Sequence, residues 1–257
     1  MKILNDALLA TDCGMVTLVV LIDYTAAFDT VDHEIALSIL ESKFGITASS
    51  LSWFESYLSD HTFSVLSSEQ QSMRVRLSCS FPQGSTLGPL LYVTYAAELQ
   101  TVAERHGVTF HGFADDTQIS ISVNPEDAKR AKQTMIDCVS SIRQWSCLHR
   151  LKLNASKSEV IWLGCRQQLP KLSADDRTLI LPDGALKPTT VVKNIGVYVD
   201  EQMTMDSNTR QCIKTSFYHM RHICQIRRFV NADTLHMLVH ALILSRLDYC
   251  WHPIKFP

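Results

Sequence analysis

Six consecutive β-branched or aliphatic residues, Thr17 to Ile22 (TLVVLI), end in Asp23. An apolar run of that length without polar alternation reads as a strand buried in a core, so the chain must supply enough other structure to cover it. It also delivers a carboxylate where the strand leaves that core. The run falls well short of the ~20 apolar residues of a bilayer crossing. Residues 1–14 carry two acidic side chains and no clear cleavage site, so neither a membrane span nor a secretory signal is expected. With 257 residues, 46% of them hydrophobic, a substantial core in one or two domains is within reach, and disorder is excluded.

Around this strand the elements alternate in type. From His33 to Phe44, Ile35, Ala36, Ile39, Leu40 and Phe44 fall on one helical stripe, and Gly45 follows in the position of a C-terminal cap. Ser50 to Leu58 reads as a short helix, Val65 to Cys79 as a strand or hairpin arm, and Leu87 to His106 as a helix closed by Gly107. Val108 to Ala114, a turn at Asp115-Asp116, and Thr117 to Val123 read as a hairpin; Ile119, Ile121 and Val123 alternate with Gln118, Ser120 and Ser122. Asn124-Pro125-Glu126-Asp127 has the chemistry of a helix start, and Ala128, Ala131, Met135, Cys138, Ile142 and Trp145 lie on one stripe after it. Glu159 to Leu163 predicts a strand, Leu179 to Gly184 a hairpin, Val191 to Val199 a strand, and residues 207–231 a basic helix. Interleaved helices and hairpins give an α+β class, with helices on one face of a mainly antiparallel sheet.

Charge is distributed unevenly. Residues 1–60 hold two Lys or Arg against nine Asp or Glu, whereas residues 201–257 hold seven against four. An acidic beginning and a basic end suggest two separate jobs. The eight cysteines include no CxxC pair and have no secretory context, so reduced thiols are expected. His219, His222 and Cys224 lack a matching pair at a finger-like distance and read as a solvated helix face rather than a zinc site.

Three carboxylates carry the chemical signal: Asp23 at a strand end, and Asp115 and Asp116 at a hairpin tip. Hard divalent cations about 3.5–4 Å apart need clustered anionic oxygens, which strand ends converging on one sheet edge can supply. Taken alone, Asp115-Asp116 is more simply an ordinary turn. Two further stretches change that balance. FPQGSTLGP (81–89) is a glycine- and proline-punctuated loop leading into a helix, whose backbone can approach a flat or anionic ligand closely, and LNASKS (153–158) places Lys157 between a helix and a strand.

Read in order, LVVLIDYTAAFDTVDH, FPQGSTLGPLLY, FADDTQI and LNASKSEVIWLG resemble motifs A to D of the reverse transcriptases of non-LTR (LINE/jockey-like) retrotransposons, at plausible spacing. VVKNIGVYVD, the basic segment after it and SRLDYC resemble the primer-grip motif E and the thumb, so the likeness runs from about Asp12 to Cys250. The resemblance implies a palm over residues 1–200 and a partial helical thumb over 201–257. It implies RNA-directed DNA polymerase activity on an RNA template, a DNA primer and dNTP, with two Mg²⁺ ions, replaceable by Mn²⁺, held by Asp23, Asp115 and Asp116. One ion would activate the primer 3′-hydroxyl for in-line attack, and the other would stabilise the leaving pyrophosphate.

Further roles follow from the same resemblance. Phe28 matches the aromatic position under the incoming sugar that excludes a 2′-hydroxyl. Gln83 and Gly84 match the lining of the nucleotide and template pocket, and Lys157 a lysine near the triphosphate. Asp29 and Asp32 match the family pattern AFDTVDH and are expected to cap the helix near His33. Arg210, Lys214, Arg221, Arg227 and Arg228 would grip phosphates along the duplex.

Only 22 residues precede Asp23, where related enzymes carry a fingers region, so most of the fingers is expected to be missing and the thumb to be cut short after Cys250, with no endonuclease domain. Such a chain admits a second reading, a catalytically inactive remnant that at most binds nucleic acid. A palm-type nucleotide cyclase would leave the PQG loop and the basic segment without a purpose. A nuclear or cytoplasmic location is expected from the family's behaviour.

Overall fold

Strand β1 (Val16–Ile22) lies inside a four-stranded antiparallel sheet of order β6-β7-β1-β8. It pairs with β7 (Asp116–Val123) from Val16↔Val123 to Ile22↔Thr117, and with β8 (Glu159–Leu163) from Thr17↔Leu163 to Leu21↔Glu159. Strand β6 (Thr109–Phe113) completes the sheet on the far side of β7. The computed structural model describes residues 2–67, 70–181 and 184–249.

Alternation along β1 creates two cores. Val16, Leu18, Val20 and Ile22 point into the larger one with Val160 and Trp162 of β8. Val19 points the other way and packs with Ile161 and Leu163 against Ile3, Leu4 and Ala7 of helix α1 (Lys2–Asp12). The expectation of helices on one face therefore needs correction, because a strand with no polar alternation must be covered on both sides. The cover on the second face is α1, an element missing from the expectations above, together with the strands β11 (Val191–Asn194) and β12 (Val197–Asp200) through Val192, Val197 and Val199.

On the larger face, helix α2 (His33–Phe44) starts where Asp32 accepts hydrogen bonds from the backbone N–H groups of Glu34 and Ile35. It ends at Gly45, whose φ of 66° is the left-handed conformation that favours glycine. Asp32 thus caps α2 as expected, whereas Asp29 does not: its carboxylate accepts from Gln83 instead. Helix α3 (Ala48–Leu58) follows, and β2 (Thr62–Phe63), β3 (Leu66–Ser67), β4 (Gln70–Gln71) and β5 (Val75–Arg76) form short exposed ladders, β2 with β5 and β3 with β4. The helix expected over 87–106 is two, α4 (Gly88–Tyr95) and α5 (Glu98–Arg105), with a break at Ala96-Ala97. Helix α6 (Ala128–Leu148) buries all six residues of its stripe. Its start is a 3₁₀ turn over Pro125–Asp127, and Asn124 makes no side-chain cap.

Beyond β8 come α7 (Ala174–Arg177), the hairpin of β9 (Leu179–Leu181) and β10 (Gly184–Leu186), then β11 and β12. Asp183 of that first hairpin lies outside the described residues, as does Cys250. The single strand expected over 191–199 is a tight hairpin. Ile195 and Gly196 take φ of 44° and 81°, so both residues of the two-residue turn are left-handed, and glycine meets that demand at the second. Helix α8 (Asp206–Ile226) ends before the expected 231, so Arg227 is its C-cap and Arg228 lies past it. Helices α9 (Ala232–Val239) and α10 (Ser245–Asp248) flank a π-helical turn over His240–Leu244. Among the described residues no helix is long and apolar enough to cross a membrane.

Leu18 is fully buried in the larger core. Leu18→Ala should lower the unfolding free energy in denaturant titration by about 3 kcal/mol. Met73→Ala, at a side chain 88% exposed, should change it by less than about 0.5 kcal/mol. Equal losses would show that this sheet is not the chief source of stability.

Candidate active site

Asp23 is the first residue beyond β1, and a loop distant in sequence holds it in place. Its N–H donates to Ser158 Oγ at 3.3 Å and its carbonyl accepts from the Asn154 N–H at 2.8 Å. Tyr24 bridges Leu153, and the Thr25 N–H donates to the Lys152 carbonyl at 2.9 Å. Residues 152–154 therefore run antiparallel to 23–25, and the chain then turns about the Asn154 carbonyl, which accepts from the Lys157 and Ser158 N–H groups. That turn carries Lys157 Nζ to 4.0 Å from Asp23 Oδ2. Oδ2 is itself buried and has no hydrogen-bond partner. A buried carboxylate oxygen without a hydrogen bond is costly, and it is the atom a cation would satisfy.

The second carboxylate arrives by strand register. Phe113 pairs with Asp116, so the loop of the β6–β7 hairpin is Ala114-Asp115 rather than Asp115-Asp116, with Ala114 at a φ of 52°. Asp116 is the first residue of β7 and stands next in register after Ile22↔Thr117, across from Asp23. Partial burial raises the Asp116 pKa, and the charges of Asp115 and Asp23 raise it further. All three carboxylates thus share one electrostatic field. A cavity of about 220 Å³ is lined by Asp23, Asp116, Gln118, Lys157, Glu159 and Asn194, among others. Burial also raises the Glu159 pKa, opposed by a backbone hydrogen bond from Lys193.

Phe28 and the glycine loop form the neighbouring wall. The Phe28 carbonyl accepts from the Phe81 N–H at 2.9 Å, Val31 accepts from the Ser80 N–H at 2.8 Å, and Gln83 Nε2 donates to Asp29 Oδ1 at 2.9 Å. The Phe28 ring stacks on Tyr92 of α4, with centroids 4.7 Å apart and planes at 27°. Tyr92 is fully buried and its hydroxyl has no partner. Burial, reinforced by Tyr24, Asp115 and Tyr95, raises its pKa well above the usual phenol range, so it is a neutral platform. Gly84 has a φ of 78° and open space where a Cβ would stand, so backbone conformation, not crowding, favours glycine there. Gly88 is the crowded position: a Cβ would meet Ser85 Oγ at 2.9 Å and the Pro82 carbonyl at 3.1 Å.

The chemistry of the donors fits hard divalent cations: carboxylate oxygens, one of them a buried orphan. Among the described residues no three His, Cys, Asp or Glu side chains already converge on one point. Asp115 and Asp116 are exposed, and no hydrogen bond or ion pair restrains their carboxylates among the described residues. Two of the three expected ligands are therefore free to turn toward Asp23.

The expected phosphate-gripping residues stand apart from this cluster. Arg210, Lys214 and Arg221 are exposed on α8, where their spacing of four and seven places them within ~40° of one another around the helix. Arg227 and Arg228 are exposed just beyond it. The sequence reading missed Lys193 and Arg246, which line a 370 Å³ cavity between the β11–β12 hairpin and the C-terminal helices. It also missed Tyr92. The signal for Lys193 was the Asn194-Ile195-Gly196 turn pattern; the stacking of Tyr92 left no local signal.

Comparison with known proteins agrees with the motif order. The family model described as reverse transcriptase (RNA-dependent DNA polymerase) matches residues 4–199. The probable RNA-directed DNA polymerase from transposon BS of Drosophila melanogaster is 27% identical over 202 residues, covering 75% of this chain and 21% of that protein. The RNA-directed DNA polymerase from mobile element jockey of the same organism is 23% identical, over 65% of this chain and 18% of its own length. The chain thus spans about a fifth of these relatives. Among solved structures, apo telomerase from Candida tropicalis, truncated from its C-terminal domain, superimposes with a TM-score of 0.53 at 14% identity, covering 80% of this chain and 38% of that one. That likeness concerns the fold alone. With three-quarters of its length matched by the family model and its motifs in order, the chain belongs to the reverse transcriptase (RNA-dependent DNA polymerase) family, as a domain of the non-LTR retrotransposon kind.

Proposed function

We propose that this chain is the polymerising core of an RNA-directed DNA polymerase that extends a DNA primer on an RNA template from dNTP. In this reading residues 1–200 form the palm and 201–257 part of a basic helical thumb. The observation that carries it is the opposition of Asp23 and Asp116 at the ends of two paired strands, with Lys157 4.0 Å from the orphaned Asp23 oxygen.

Asp23, Asp115 and Asp116 would hold two divalent cations, magnesium or manganese. Bound there, these supply Lewis-acid activation of the primer 3′-hydroxyl and charge neutralisation on the departing pyrophosphate. The protein's own groups do the positioning. Lys157, exposed on its turn, is within reach of a triphosphate beside Asp23 and would neutralise its developing charge. Phe28, held flat on Tyr92, presents a rigid surface where a ribose 2′-hydroxyl would clash. Gln83 and Gly84, tied to the Phe28 segment, would line the nucleotide and template side of the pocket. Arg210, Lys214 and Arg221 offer one basic face to duplex phosphates, with Arg227 and Arg228 beyond the helix end.

Primer extension on an RNA template with Mg²⁺ tests the whole reading. Wild type should incorporate dNTP, and Asp115→Ala should reduce incorporation by at least ~10³-fold, as expected when a metal carboxylate is removed. Equal signal from both proteins would leave the inactive-remnant reading standing.

The carboxylate cluster also predicts a stability signature. Asp116→Asn removes one of three mutually repelling charges, so without metal it should raise Tm by about 2 °C, a small effect because the group is exposed. Added Mg²⁺ should raise the Tm of wild type and leave that of Asp116→Asn nearly unchanged in differential scanning calorimetry. An equal Mg²⁺ response would show that Asp116 is not a ligand.

For the basic face, replacing Arg210, Lys214 and Arg221 together with Ala should weaken primer–template binding. The slope of log K against log salt should become shallower by about one for each phosphate the variant no longer neutralises. An unchanged slope in fluorescence anisotropy would place the duplex elsewhere.

A further inference from the structure

Gln118 and Asn194 are 76 residues apart in sequence and face each other as a closed pair of amides. Gln118 Nε2 donates to Asn194 Oδ1 at 2.5 Å, and Asn194 Nδ2 donates to Gln118 Oε1 at 3.1 Å. Both residues are buried, at 4% and 6% exposure. Gln118 lies two residues after Asp116 on β7, and Asn194 is the last residue of β11, immediately before the Ile195-Gly196 turn. The turn is held from its other side. Tyr249, directly after α10, donates its hydroxyl to the Ile195 carbonyl at 2.7 Å, and its ring lies 3.4 Å from where a Gly196 Cβ would stand.

A continuous series of directional bonds therefore joins the carboxylate hairpin to the C-terminal helices through one hairpin tip. The hairpin has other directional attachments as well: the Lys193 backbone N–H bonds the Glu159 carboxylate, and the Tyr198 N–H donates to Asn208 Oδ1 of α8 at 3.2 Å. At the base of the hairpin the Gly164 N–H donates to the Glu201 carbonyl, and along its length Val192, Val197 and Val199 pack into the smaller core. Apolar packing is non-directional and tolerates sliding, whereas two buried amides that satisfy only each other fix distance and orientation together. The pair also lines both the 220 Å³ cavity that holds Asp23, Asp116 and Lys157 and the 570 Å³ cavity beside it.

We infer that the Gln118–Asn194 pair, continued through Ile195 to Tyr249, is a positioning element that sets the register of the C-terminal helices relative to the carboxylate cluster. Resting on the polymerase reading above, it would fix where a primer 3′-end held by those helices meets Asp23 and Asp116. Neither amide touches substrate in this scheme; each acts through the hairpin tip.

Leucine and swap variants of the full chain test this. Gln118→Leu or Asn194→Leu alone leaves one buried amide unpaired and should lower Tm by about 3–8 °C. The double leucine variant leaves no orphan and should recover most of that decrease. It should nevertheless exchange backbone hydrogens about tenfold faster at 193–197 and 245–249. In primer extension its kcat should fall by about 10–100-fold at unchanged KM for dNTP, as for a misplaced reacting end. Gln118→Asn combined with Asn194→Gln keeps the summed length of the two amides and should restore exchange protection and kcat. A double leucine variant with wild-type exchange and wild-type kcat would overturn the inference, since the pair would then be packing alone. If wild type extends no primer, the polymerase reading falls and hydrogen exchange decides the coupling by itself: unchanged protection at 245–249 in the double variant overturns it.

Discussion

The register of β1 between β7 and β8 is the constraint from which the rest of the structure follows. Seven consecutive pairs with β7 and five with β8 fix which side chains face which core. They also bring Asp116 across from Asp23 where the pairing ends. A slip by one residue would turn Leu18 and Val20 into the smaller core, Val19 into the larger, and would part the two carboxylates. The same seven residues thus specify both burial and site geometry. The apolar alternation that stabilises the sheet is what keeps the acidic groups opposed.

Opposed carboxylates are unfavourable in a sheet, because like charges directly across from each other repel. The fold tolerates them at a strand end, where Asp116 is open to water and Lys157 approaches Asp23 from a turn that the Asp23 backbone itself anchors. The upward shift of the Asp116 pKa is the electrostatic trace of that arrangement: burial and two negative neighbours all disfavour its charged form. A cation placed among these oxygens would relieve that repulsion. The buried, unpartnered Asp23 oxygen gives the same indication from geometry alone.

Much of this was legible in the residues. Elements set by periodicity and caps, such as the α6 stripe from Ala128 to Trp145 or the Asp32 and Gly45 ends of α2, stand where the sequence places them, because local propensity and burial act in the same direction there. Helix α1 was not legible: its apolar residues make sense only once the second face of β1 needs covering. The hairpin at Ile195-Gly196 was passed over because the valines on either side of it, Val191 and Val192 before and Val197 and Val199 after, read as one strand when the Asn194-Ile195-Gly196 turn pattern is given no weight. The strand end for Asp23 and the hairpin tip for Asp115 were legible, whereas Asp116 belongs to β7 rather than to the tip, and its place beyond the Ile22↔Thr117 pair is a product of register, which no local pattern reports. Long-range partners such as Tyr92 beneath Phe28 and Asn194 beside Gln118 were out of reach for the same reason.

The Phe28 segment and the glycine loop, more than fifty residues apart in sequence, behave as one piece of structure. Phe28 and Val31 accept backbone hydrogen bonds from Phe81 and Ser80, Asp32 bridges Cys79, and His33 Nε2 lies 2.7 Å from the Ser80 carbonyl. Gln83 closes the set by donating to Asp29. Because Asp32 also caps α2, the segment has a fixed end on one side, and because Phe28 rests on Tyr92 of α4, it has a fixed end on the other. A ring clamped in this way has little room to move, and the glycine loop inherits its position from the same ladder. The two segments cannot be repositioned independently, since displacing either breaks the bonds that locate its partner.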